Sequence, residues 1–137
     1  MFTNPTAEAS QVLLHDLPRW FASNKRDLPM RGDDVSDWGT LVFEIMSQQT
    51  PVARVQPIWL EWMERWPTPG DLAEASSADI IVAWANLGYP SRALRLKNCA
   101  GTIVEKHGGQ VPLTMKELTL LPGVGTYTAS ALLAFRH

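Results

Sequence analysis

The chain has one cysteine, Cys99, in 137 residues, which excludes an internal disulfide. It has no N-terminal apolar run resembling a signal peptide and no apolar stretch long enough to span a bilayer. An intracellular, cytoplasmic protein without membrane contact is therefore expected. Positive charge is scarce: the net charge of −2 excludes a protein that coats nucleic acid over its whole surface and confines any such contact to a local patch. Apolar and polar residues never alternate long enough to demand a strand. Internal repeats, low-complexity tracts and interdomain linkers are missing as well, which leaves one all-α domain over 1–137.

What is present is apolar content, 45% hydrophobic, enough for a real core in a chain of this length. Its period is helical nearly throughout. A first helix is expected over Ala7–Ala22, with Val12, Leu13, Leu17, Trp20 and Phe21 inward, before Pro29 breaks the chain. A second takes Asp37 as its cap and ends near Gln49. Thr50 then caps a third, with Pro51 at its first position and Val55, Ile58, Trp59 and Trp62 buried. Short helices over Asp71–Ala75 and Ala78–Ala85 lead to a long one from Ser91 to about His107, closed by Gly108 and Gly109. Thr114 caps a short helix to Leu120, and the last helix starts at Thr126. Trp20, Trp59, Trp62 and Trp84 have core spacing; for Trp38 and Trp66 half-exposure and burial both stay open.

The most informative stretch is LPGVGTYTASA, Leu121–Ala131. Gly123 and Gly125 let the backbone turn tightly around Val124 and aim amide N–H groups at one point, and the helix starting at Thr126 adds the positive end of its dipole. The lysine and spacing of a nucleotide-binding P-loop are missing, so the segment reads as helix, hairpin, helix over about 114–136. It is either a seat for a DNA phosphate or a plain glycine-rich connector. Around FEIMSQQT, Trp38, Leu41, Val42, Ile45 and Met46 form an apolar stripe beside a polar one of Thr40, Glu44, Ser47 and Gln48. Glu44 is then a surface acid if the polar stripe faces water. If it faces a cleft, desolvation favours the protonated carboxyl and makes it a candidate general acid. Local basic stretches occur at Arg19, Lys25, Arg26 and Arg31, and again at Arg92, Arg95, Lys97 and Lys106, with acidic residues gathered from Glu61 to Asp79.

Six segments, LPMR (Leu28–Arg31), EIMSQQT (Glu44–Thr50), WPT (Trp66–Thr68), LGYPSRALRL (Leu87–Leu96), HGGQVP (His107–Pro112) and LPGVGTYTA (Leu121–Ala129), resemble in order and approximate spacing those of the helix-hairpin-helix DNA glycosylases, and within them the MutY-type adenine glycosylases. The resemblance spans nearly the whole chain. It implies a helix-hairpin-helix glycosylase barrel lobe whose partner is double-stranded DNA with adenine mispaired with 8-oxoguanine, the adenine being flipped out and its N-glycosidic bond cut. Glu44 matches the acid that protonates adenine N7, and Tyr127 matches a pocket tyrosine that helps position the acid and the sugar. A lysine at that place in the endonuclease III branch forms a Schiff base, so tyrosine argues against lyase chemistry. By the same resemblance Gln48, Gln49 and Tyr89 contact or enter the DNA stack, and Gly123, Val124, Gly125 and Thr126 hold its backbone. Local readings stay beside these: Gln49 as a helix-end cap and Tyr89 as a loop tyrosine. Arg31 matches a pocket arginine, whereas Met30 replaces the family's usual tryptophan and gives a less flat surface for the base.

The family also carries, beyond the hairpin's helix, an aspartate that stabilises the oxocarbenium-like sugar, four cysteines that hold a [4Fe–4S] cluster, and often a C-terminal domain recognising 8-oxoguanine. None of these is in this sequence, so a fold incomplete at its C-terminus is expected, with no cluster or metal bound and little activity alone. The last helix is then expected to expose Leu132, Leu133 and Phe135 and to favour self-association. Two other classes stay open: an endonuclease III-like enzyme for oxidised pyrimidines, and a non-catalytic hairpin module.

Overall fold

The computed structural model describes residues 34–136, with the side chains of Phe135 and Arg136 excepted. The expected first helix, the first basic stretch and the pocket candidates Met30 and Arg31 lie outside the described residues. Within them the elements are α1 (Asp37–Met46), α2 (Val52–Arg65), α3 (Pro69–Glu74), α4 (Ser77–Trp84), α5 (Ser91–His107), α6 (Met115–Leu118) and α7 (Thr126–Arg136), with no strand among the described residues.

Helix starts follow from short polar side chains. Ser36, Thr68, Ser76 and Thr114 each accept an amide three residues on, which satisfies one of the unpaired donors of a first turn. Two expectations about caps are corrected. Asp37 is the first residue of α1 and not its cap; Ser36, one residue earlier, fills that place. Thr50 does not cap α2 with its side chain. The N-cap is Pro51, without a side-chain hydrogen bond, and the Thr50 hydroxyl donates instead to the Leu87 carbonyl at 3.0 Å. The long helix has the expected bounds and ends on Gly108 in the left-handed conformation. The helix after Thr114 is shorter than expected, stopping at Leu118.

The core forms where α1 and α5 sink into their neighbours. Every residue from Trp38 to Met46 is buried, so α1 is a central helix rather than an amphipathic surface one. It packs against α2, α5 and α7, while α3 and α4 pack on α5 and α6 packs on α7. All five described tryptophans are buried, including Trp38 and Trp66, which the sequence left undecided. Four of their indoles donate to carbonyls: Trp38 to Trp66, Trp59 to Gly39, Trp62 to Ala83 and Trp84 to Gly88. Trp62 meets Trp66 and Trp84 edge to face, at centroid distances of 4.9 and 5.7 Å. The expectation that Leu132 is exposed is overturned. It lies on the face of α7 shared with Thr128 and Ala129, all three buried, whereas Leu133 is half-buried. No described helix is long and apolar enough to cross a membrane.

Candidate functional site

The hairpin between α6 and α7 is held by few contacts. Leu121 and Val124 are buried, and the Val124 amide donates to the Leu121 carbonyl at 3.1 Å, closing the turn. That amide is therefore taken up internally and does not face an anion. Gly123 has φ +82°, as the sequence required, and packs so closely on the stem of Arg95 that a Cβ would lie 3.1 Å from its Cδ. Gly125 differs: its φ is not left-handed, and a Cβ there would meet nothing within 4 Å. Its carbonyl accepts the first bond of α7, from Ala129 at 3.0 Å. The first-turn amides of Thr126 and Tyr127 follow, without intrahelical acceptors and on an exposed surface.

The polar stripe of α1 does not face bulk water. Glu44 is only 6% exposed, and Thr40 is buried too; Thr40 Oγ1 and Ser47 Oγ have no hydrogen-bond partner among the described residues. The Gln48 side-chain amide donates to Thr128 Oγ1 at 2.7 Å, which ties the C-terminal end of α1 to the hairpin's helix. The helix that carries Glu44 and the helix that carries Tyr127 are thus packed together, although Tyr127 itself is 76% exposed. The surface-acid alternative for Glu44 falls with this burial. A narrow cleft at the hairpin is lined by Ile45, Gln48, Arg92, Arg95, Pro122 and Gly123.

The segments carrying Gln49 and Tyr89, forty residues apart, are joined by the Thr50 hydroxyl and by Arg92. Both residues are exposed, and both have positive φ, +62° and +50°. Between them sits Arg92, which the sequence presented only as part of a basic stretch. Its Nη1 donates to the carbonyls of Ile45 (3.1 Å) and Gln48 (2.5 Å). Its Nη2 donates to Thr50 Oγ1 (3.2 Å) and to the carbonyls of Leu87 (3.1 Å) and Gly88 (3.2 Å). The guanidinium also lies over the rings of Trp84 and Tyr89, and burial lowers its pKa from the ordinary value. A sequence signal existed: Arg92 stands in the first turn of α5, where the helix dipole disfavours a cation, so a compensating acceptor set was to be sought. Lys97 is likewise engaged, donating to the Ala73 carbonyl at 2.7 Å. Of the second basic stretch, Arg95 and Lys106 remain exposed for other partners.

The residues present do not fit an iron–sulfur cluster. Cys99 is buried between turns of α5 that also bury Leu96 and Ile103, and burial pushes its thiol up to about 12, away from the thiolate a metal needs. Among the described residues no three His, Cys, Asp or Glu side chains gather as metal ligands.

A family model described as HhH-GPD superfamily base excision DNA repair protein matches residues 42–134, which takes in Glu44, Gln49, Tyr89 and the hairpin. The adenine DNA glycosylase of Mycobacterium tuberculosis (strain ATCC 25618 / H37Rv) is 50% identical over 122 residues, covering 89% of this chain and 40% of that protein. The adenine DNA glycosylase of Homo sapiens is 46% identical over 121 residues, covering 82% and 22%. Among solved structures, a thermostable thymine-DNA glycosylase matches with a TM-score of 0.78 at 25% identity, over 97% of this chain and 61% of that one. The chain spans well under half the length of these two adenine glycosylases.

Proposed function

The chain belongs to the HhH-GPD superfamily of base excision DNA repair proteins, and from that membership we propose that it acts as an adenine DNA glycosylase, removing adenine mispaired with 8-oxoguanine from double-stranded DNA in the cell interior. The names of relatives at 50% and 46% identity support adenine as the base. The observation that carries the reading is Glu44, the one buried acidic residue among those described, set on the helix that packs against the hairpin's helix.

In this mechanism the hairpin holds a strand by its backbone while Gln49 and Tyr89 enter the stack and the adenine leaves it. Adenine is a poor leaving group as an anion, so the bond to the sugar breaks as Glu44 delivers a proton to N7. The sugar left with oxocarbenium character is stabilised by the family's downstream aspartate, and water adding at its C1′ completes the hydrolysis, returning a proton to the Glu44 carboxylate. Tyr127, in the first turn of α7, orients the acid and the sugar; Gln48 is tied to Thr128 in the same turn and sets the distance between the two helices. Arg31 and Met30 line the base pocket in this reading. No step passes through an iron–sulfur cluster. The test is single-turnover release of adenine from an A:8-oxoguanine duplex by a version of this protein extended through the family's downstream aspartate. Release that is lost with Glu44→Gln supports the proposal, and equal release by that variant refutes it.

A further inference from the structure

A residue with a Cβ disfavours the left-handed backbone region, and such strain persists only where the surroundings fix the chain on both sides. Gln49, Ala85 and Tyr89 are the non-glycine residues with positive φ among those described, and two of them are the exposed residues read above as entering the DNA stack. Their surroundings are dominated by one side chain. The five acceptors of Arg92 include the residues on either side of Gln49, through the Gln48 carbonyl and Thr50 Oγ1, and the two residues before Tyr89, through the Leu87 and Gly88 carbonyls. Around it, Thr50 Oγ1 donates to the Leu87 carbonyl, Trp84 Nε1 donates to the Gly88 carbonyl, and Arg54 donates to the Asn86 carbonyl, so the loop is held from several sides but joined to the end of α1 mainly at the guanidinium.

We propose that Arg92 is a positioning residue that locks Gln49 and Tyr89 into one preformed wedge, with the backbone of both side chains set before DNA arrives. This rests on the reading of those two residues as the ones that enter the stack. Only a planar fork can reach these acceptors together: a lysine keeps the charge but presents its donors from a single nitrogen and cannot serve both segments at once. Ordering two loops in the free protein removes that entropy from the cost of opening the duplex, so the effect belongs to base unstacking and not to general DNA affinity.

The experiment compares the chain with Arg92→Lys in two measurements. Hydrogen exchange of the free protein is expected to rise about tenfold or more at both Gln48–Thr50 and Leu87–Tyr89, while α2 and α7 keep their protection, as loss of hydrogen bonds to a charged group would give. On a duplex with one 2-aminopurine opposite 8-oxoguanine, the fluorescence rise at saturating protein is expected to fall at least about threefold, with affinity for an unmodified duplex changed less than about twofold. The same substitution made in a Gln49→Ala, Tyr89→Ala background should have no further effect on the fluorescence. Unchanged exchange at the two segments, or an equal fluorescence loss in that background, overturns the positioning role. A parent chain that binds the duplex with no fluorescence rise overturns the wedge reading itself, and the proposal falls with it.

Discussion

The two hairpin glycines separate folding from DNA contact, and alanine at each should give different signatures. At Gly123 the left-handed φ costs an L-residue about 1–2 kcal/mol, and about 0.4–1 kcal/mol returns from the restricted unfolded chain, so Gly123→Ala should destabilise by about 1 kcal/mol. The new methyl also meets the Arg95 stem at 3.1 and 3.2 Å, which adds to that figure unless the exposed side chain shifts. At Gly125 neither cost arises. Alanine is a poorer N-cap than glycine by about 1 kcal/mol, but restriction of the unfolded chain returns about 0.4–1 kcal/mol, so Gly125→Ala should change stability by no more than about 0.5 kcal/mol. Its methyl would stand in the open space where a phosphate would approach the Thr126 and Tyr127 amides. Losing one charge-assisted contact there is worth about tenfold in affinity, the same for every sequence. Urea unfolding measures the first quantity and anisotropy of a labelled duplex the second. An uncharged amide releases no counterion, so the slope of log affinity against log salt should stay the same for Gly125→Ala, whereas loss of a cation that contacts a phosphate would lower it by about 0.9. Unchanged affinity for Gly125→Ala at moderate salt would remove the phosphate role from the hairpin.

Other outcomes follow from the same structure. A polypeptide limited to residues 1–137 should release little or no adenine in single turnover, because the family's oxocarbenium-stabilising aspartate is not among those residues; full activity would show that aspartate to be dispensable. Burial pushes the Cys99 thiol from its ordinary 9.0 up to about 12, so the unfolded chain loses its proton first. Stability is fully present below pH 9 and falls as pH rises towards 12, by up to about 4 kcal/mol, which pH-dependent urea unfolding of the chain against Cys99→Ala would detect. Thr114→Ala removes the cap that accepts the Glu117 amide and should lower stability by about 1 kcal/mol in thermal unfolding.

The parts legible in the sequence were those set by neighbours along the chain. Ser91–His107 had correct bounds because its apolar period is long and a glycine pair ends it, and Gly123 announced its left-handed turn. Where two capping side chains stand side by side, as Ser36 and Asp37 do, sequence order alone cannot choose, and the choice of Asp37 failed. Arg92 was hidden for a different reason. Its acceptors on α1 and the following turn lie more than forty residues away, and a cation among other cations reads as a surface patch until the fold brings carbonyls to it. Glu44 was legible as a candidate, but its burial was not, because it follows from the packing of α1 against α2, α5 and α7, a tertiary fact. Leu132 failed in the opposite direction: the same packing hides a side chain that the helix alone would show.

The indoles set a limit on how this domain can be altered. Phenylalanine at Trp38, Trp59 or Trp62 would keep a ring in the core but remove the donor from a buried hydrogen bond to a carbonyl. At Trp84 the bond lost is one of two that the Gly88 carbonyl accepts, the other coming from Arg92 Nη2, and it lies next to Tyr89, so a conservative change made for packing would be felt at the surface proposed to meet DNA. Efforts to raise thermal tolerance should therefore leave the aromatic interior alone and work on the exposed outer faces of α2 and α5.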